Sequence, residues 1–145
     1  MQLNRYASDY NLDVTKISFS YLLEVTAALR EYHDSLVLIG GWTPFFILEH
    51  FKKPAVDFSH IGSIDIDLAV DPKLFAEGMD KYRTIIEHIG KLGYAPKKDK
   101  LNNIIPSSFI KPTKEGVDIQ VDILTSFLEK HPKSKRHFKV QPDLM

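Results

Sequence analysis

Hydrophobic and polar positions along this chain divide it into short elements of two kinds. Ser18 or Ser20 is placed to cap a helix running through Tyr32, on which Leu22, Val25, Ala28 (or Leu29) and Tyr32 recur at helical spacing. Leu36-Val37-Leu38-Ile39 is an unbroken apolar run, expected as a buried strand, and Gly40-Gly41 ends it. A second helix is expected from about Thr43 to Phe51, with Pro44 tolerated in its first turn. Lys52 to Gly62 reads as a loop around Pro54. Ile64 to Val70 alternates strictly and predicts a strand, broken by Asp71-Pro72. Lys73 to Lys91 is helical in pattern, with Leu74, Met79, Tyr82, Ile86 and Ile89 as its apolar set and Gly93 closing it. Tyr94 to Lys98 is a short strand. Ile104 to Lys111 and Val117 to Leu124 are two strands joined by a Pro112–Gly116 turn, a hairpin pattern. After Ser126 the pattern weakens, punctuated by His131-Pro132 and Gln141-Pro142.

This order predicts an α+β (α/β-like) domain: a mixed sheet of about four to five strands with helices packed mainly on one face. Residues 1–15 are expected as an irregular lead-in, residues 16–125 as the core domain and residues 126–145 as a basic C-terminal extension. The composition, 145 residues with 43% hydrophobic and 26% charged, is that of one globular domain and excludes a disordered or fibrous chain. The absence of cysteine excludes disulfides, thiolate nucleophiles and Cys-ligated zinc, and fits a cytoplasmic setting. No apolar run approaches the roughly 18 residues of a membrane span. Met1 to Asp13 lacks the apolar core of a signal peptide, so no membrane contact is expected.

The formal net charge is zero but unevenly spread. Residues 1–90 carry 8 Lys/Arg against 13 Asp/Glu, and residues 91–145 carry 11 against 6. An acidic half joined to a basic half suits carboxylates beside a phosphate-binding surface, or simply a segregated solvated surface.

Three segments carry candidate chemistry. In Ser63-Ile64-Asp65-Ile66-Asp67-Leu68-Ala69-Val70, alternation sends Ile64, Ile66, Leu68 and Val70 inward and puts Ser63, Asp65 and Asp67 on the other face. Two carboxylates at that spacing stand roughly 6.5 Å apart at the backbone. They repel by about 2–3 kcal/mol at an effective dielectric near 20, which a divalent cation relieves. In Val117-Asp118-Ile119-Gln120-Val121-Asp122-Ile123-Leu124, Asp118, Gln120 and Asp122 share a polar face. If that strand lies beside the first, it supplies a third carboxylate, and three can hold two divalent cations about 4 Å apart for phosphoryl or nucleotidyl transfer. Leu36 to Thr43 reads as strand, Gly-Gly and helix start. Glycine admits a phosphate to the backbone, and the helix start offers unpaired N–H groups. Each segment alone also fits an ordinary amphipathic strand or tight turn.

Together, the hydrophobic-Gly-Gly unit, the Ser-x-Asp-x-Asp strand and a later single Asp resemble the polymerase-β-like nucleotidyltransferase superfamily, above all its minimal members of abortive-infection and toxin–antitoxin type. The resemblance spans roughly Leu36 to Leu124 and rests on Gly40, Gly41, Ser63, Asp65, Asp67 and Asp122. It implies a nucleotidyltransferase-like core and Mg²⁺ (or Mn²⁺) held by Asp65, Asp67 and Asp122, with Asp122 helping to deprotonate an acceptor hydroxyl. It also implies a nucleoside triphosphate lying against Gly40 and Gly41, with Thr43 and Ser63 as further nucleotide contacts. The acceptor would be a protein, an RNA or a small molecule, and a homodimer or partner protein is compatible with so short a chain.

The chain departs from the family where relatives often carry a basic residue four positions before the first Asp. Here that position is Ile61, beside His60, so Lys97, Lys98, Lys100 or Lys111 must supply the charge. Many relatives also continue into a helical module. Both departures leave a second expectation open: a catalytically degenerate nucleotide- or partner-binding domain of the same fold. A glycosyltransferase or a haloacid-dehalogenase-like phosphatase fits less well, because the former needs a longer chain and the latter an acidic pair on its first strand. The six histidines (His33, His50, His60, His88, His131, His137) show no metal-ligand spacing. His60 stands out only for its place before the acidic strand. Trp42, Phe45 and Phe46 read as helix core, and Lys130 to Arg136 as a solvated basic segment.

Overall fold

The computed structural model describes residues 11–54, 60–71, 73, 79–125 and 138–139. The chain enters through Asn11, whose side chain accepts a hydrogen bond from the Val14 amide at 3.0 Å and so caps the first helix. That helix, α1, spans Leu12–Ala28, and it starts well before the serines expected to cap it. Ser18 lies mid-helix instead, buried, with its hydroxyl donating to the Ile64 carbonyl at 2.6 Å. A 3-10 turn, Arg30–Ser35, leads into strand β1, Leu36–Ile39. Helix α2, Trp42–Phe51, follows the diglycine. Strand β2 is Ile66–Val70, shorter at its start than the alternation suggested, because Ser63 to Asp65 approach it as irregular backbone. Helix α3 is Met79–Lys91. Strands β3 (Ala95–Lys98), β4 (Ile104–Pro112), β5 (Asp118–Thr125) and β6 (Phe138–Lys139) complete the order.

The fold is α+β with a mixed, open sheet in the order β1-β2-β5-β4-β3. β2 and β5 run parallel at its centre, and the other pairings are antiparallel. The six described strands exceed the expected four to five. β5 continues past Asp122, the last position paired with β4, and β6 takes up the ladder at Leu124 and Thr125. This strand comes from the segment expected only as an extension. The rest of that segment, including Lys130 to Arg136, His131 and His137, lies outside the described residues, as do residues 1–10 and Leu74.

The alternation seen in the sequence sets the two faces. Ile66, Leu68 and Val70 of β2 and Ile119, Val121 and Ile123 of β5 are buried against Leu22, Val25 and Leu29 of the α1 region and Ile85 and Ile89 of α3. Ile85, not among the apolar positions expected, is fully buried one turn before Ile89, while Ile86 is only partly covered. Trp42 anchors α2 against Phe19 and Phe45, with ring centroids 5.5 and 5.3 Å away, which bears out its reading as core. With the apolar side of β2 and β5 committed to this core, their polar side faces the other way. No described helix is long and apolar enough to cross a membrane.

Candidate active site

The parallel register of β2 and β5 sets Asp67 directly beside Asp122. The same cross-strand row runs from Ile39 of β1 through Asp67 and Asp122 to Ser108 of β4. Cross-strand partners share a face, so these side chains gather on the sheet surface opposite the core. Asp118, the rival for the third acid, pairs with Pro112 and is exposed four residues upstream of Asp122. At ~3.3 Å per residue that puts it roughly 13 Å from Asp122 along the strand. Register with Asp67 singles out Asp122.

Asp67 is hemmed in. A side-chain hydrogen bond links it to Asp122, and burial together with the charges of Asp122 and Asp65 pushes its carboxyl up from 3.8 to about 6. Burial is the largest of these causes, because desolvation penalises the charged form. Asp67 therefore keeps its proton up to about pH 6. Asp65 contributes repulsion from the irregular segment just before β2, where its Oδ1 is buried.

The diglycine closes over this pair. Gly40 has φ +71°, a left-handed conformation that glycine adopts without strain. A Cβ built there would lie 2.1 Å from Asp67 Oδ2. Gly41, at the N-cap of α2, makes the same kind of approach to Ser63: a Cβ there would lie 2.5 Å from Ser63 Oγ. Both positions therefore bring bare backbone against the polar side chains named from sequence. The Thr43 amide donates to the Gly40 carbonyl at 3.1 Å, and its hydroxyl turns back to the Leu38 carbonyl at 3.2 Å, pinning the bend. Gly40, Gly41, Thr43, Ser63, Asp65, Asp67 and Asp122 thus stand at one end of β1 and β2, against the middle of β5.

On the β4 side, Ser108 Oγ donates to Asp122 Oδ1 at 2.5 Å, and the Gln120 amide nitrogen donates to both Asp122 oxygens, at 3.0 and 2.8 Å. Lys97 Nζ in turn donates to Gln120 Oε1 at 2.5 Å. Of the four lysines weighed as the site's cation, only Lys97 reaches it. Lys98 and Lys100 are exposed beside the β3–β4 turn. Lys111 sits on the opposite side of the sheet, 3.3 Å from Glu24 and over the rings of Tyr21 and Tyr94. Alternation explains this: Lys111 follows Phe109, which is buried, whereas Ser108 points to the acids. His60 serves its own turn, with the Gly62 amide donating to His60 Nδ1 at 3.0 Å.

Ser108 was not singled out in the sequence, although its place was encoded there. A hairpin closed by Thr113 to Val117 pairs Pro112 with Asp118, and counting back along both strands brings Ser108 opposite Asp122. Among the described residues, no three His, Asp or Glu side chains form a ready-made cation cage. The candidate donor set is the cross-strand pair Asp67 and Asp122, with Asp65 near enough to raise the Asp67 carboxyl. Mg²⁺ suits such a set, since it is usually held by one or two carboxylates with substrate phosphates completing the shell. No family model, curated protein or solved structure matches this chain.

Proposed function

We propose that the chain is a minimal nucleotidyltransferase of the polymerase-β-like kind, moving a nucleoside monophosphate from a nucleoside triphosphate to a hydroxyl acceptor in the cytoplasm. The observation that carries this reading is the wedging of the Asp67 carboxyl between Gly40 and Asp122. A bare backbone bend, a carboxylate pair and a flanking acid within one small area are what a polyphosphate and its cation need.

Asp65, Asp67 and Asp122 would hold Mg²⁺, which when bound offsets the triphosphate charge and polarises the reacting phosphorus. The residues of the chain do the rest. Gly40 and Gly41 bring the start of α2 up against Asp67 and Ser63, and backbone N–H groups at a helix start favour the anion held there. Ser63, facing Gly41, offers a hydroxyl to the same oxygens. Asp122 takes the proton of the acceptor hydroxyl as its oxygen bonds to the α-phosphorus, and the bond to pyrophosphate breaks.

The test offers each of the four α-labelled nucleoside triphosphates with Mg²⁺ to the protein in the presence of RNA, protein and small hydroxyl acceptors. Label transfer with pyrophosphate release is expected. It should disappear in the Asp65→Asn, Asp67→Asn double variant while circular dichroism stays unchanged. Transfer that persists in that variant overturns the assignment.

One observation favours the second reading, a degenerate nucleotide- or partner-binding domain. Position 61 is an exposed isoleucine, and Lys97, whose ammonium reaches toward the acids, is bonded to Gln120. That reading predicts nucleotide-dependent stabilisation, about 2.7 kcal/mol at 100 times the dissociation constant, with no pyrophosphate released.

A further inference from the structure

Lys97 and Gln120 belong to neither the acid triad nor the diglycine bend, yet they end on the triad. Lys97 is a donor only, and an ionised carboxylate is an acceptor only. A side chain that joins them must accept from one and donate to the other, and a primary amide does both. Gln120 fills that place: its oxygen takes the Lys97 ammonium and its nitrogen is thereby forced toward both oxygens of Asp122. The ionised carboxylate and the lysine select the same orientation of the amide, nitrogen toward Asp122 and oxygen toward Lys97. With Ser108 donating from β4, Asp122 is held on one flank by two side chains. Its remaining acceptor capacity is directed to the other flank, where Asp67 lies.

We infer that Gln120, oriented by Lys97, is the positioning residue that fixes the Asp122 carboxylate for cation binding. The inference rests on the reading of Asp65, Asp67 and Asp122 as a cation site. It assigns Lys97 a role opposite to that of a nearby positive charge acting through space. A bare cation beside the acids would weaken the binding of a second cation. A lysine that orients Gln120 strengthens it. Removing outer-shell partners of a metal ligand typically costs 10–100-fold in affinity.

The probe is Mn²⁺ alone, without nucleotide, followed by electron paramagnetic resonance of the free ion on the full chain. Four proteins are compared: the parent, Q120L, K97M and K97R, each checked for an unchanged melting temperature without metal. The expected result is Mn²⁺ binding by the parent, at least about tenfold weaker binding by Q120L, weaker binding by K97M, and restoration by K97R. Lys97 lies near the edge of the sheet on β3, so the K97M and K97R pair keeps the test decisive should Q120L fold poorly. Mn²⁺ bound by the parent but equally or more tightly by either Q120L or K97M overturns the positioning role and leaves the cation site standing. No binding by the parent removes the cation site itself, and this inference with it.

Discussion

Asp67 and Asp122 are paired residue to residue across the parallel β2–β5 ladder, and a hydrogen bond joins their side chains. The pair occupies the position where Gly40 leaves no room for a side chain of its own. Such crowding of acids is unfavourable in the isolated chain, and it sets the sign of the first prediction.

Asp67 titrates at about 6 in the folded chain against an ordinary 3.8. A raised carboxyl pKa means that stability is fully present below about pH 4 and is lost as pH rises through about 6. The displacement corresponds to at most about 3 kcal/mol, and solvent screening of this partly buried group lowers it. Asp67→Asn, which keeps a donor toward Asp122, should therefore stabilise the metal-free protein by about 1–3 kcal/mol at pH 7.5. The gain should vanish near pH 4. Urea unfolding across this range checks it, and a pH-independent difference would contradict it.

Asp118 and Asp122 have the same chemistry and share a strand face, so they form a matched comparison. Asp122→Asn should lower transfer by about 10²-fold or more, the usual worth of a positioned general base. Asp118→Asn should leave it near the parental rate. Steady-state label transfer by both variants, at matched melting temperatures, decides the point.

The two glycines should fail differently. Gly40→Ala meets a left-handed backbone and the Asp67 carboxyl together, and should cost about 1–2 kcal/mol from the backbone alone, with transfer lost. Gly41 has φ −65°, ordinary for any residue. Gly41→Ala crowds the Ser63 hydroxyl and Cβ without a left-handed backbone to oppose it, so it should raise the nucleotide KM with a smaller loss of stability. Thermal unfolding and nucleotide titration on both variants separate the effects.

Lys111 supplies the control for charge. Its ammonium lies 5.0 and 5.4 Å from the ring centres of Tyr21 and Tyr94 and pairs with Glu24, on the side of the sheet away from the acids. Lys111→Ala should destabilise the fold by about 1 kcal/mol and leave nucleotide affinity unchanged. A large rise in KM would place Lys111 at the nucleotide after all.

Most of this arrangement is legible in the residues themselves. The alternation Ile64 to Val70 and Val117 to Leu124 divides core from acid face, with Ala69 and Leu124 the apolar exceptions on the acid side, because side-chain direction in a strand has a strict period of two. The helix boundaries were less legible. Asn11 and Ser18 are both good capping residues, and only the buried bond from Ser18 to Ile64 shows that the serine serves tertiary packing instead. The choice of Asp122 over Asp118 was hidden for a different reason. It depends on the register of two parallel strands far apart in the chain, which no local pattern encodes. The side of the sheet that Lys111 meets follows from alternation with Phe109, whereas Lys97 sits at a register irregularity in β3 that alternation does not reveal.

That parallel pairing has a consequence for how the protein can go wrong. No tight turn joins β2 to β5, and the segment Asp118-Ile119-Gln120-Val121-Asp122-Ile123 nearly repeats itself every four residues. A slip of two positions would keep every aliphatic side chain facing inward while setting Gln120 beside Asp67, and a slip of four would set Asp118 there. Burial alone hardly penalises these slipped conformers. The turn from Thr113 to Val117 and the reach of Ser108 to Asp122 fix β5 against β4, so such a slip would carry the whole hairpin along β2 as one unit.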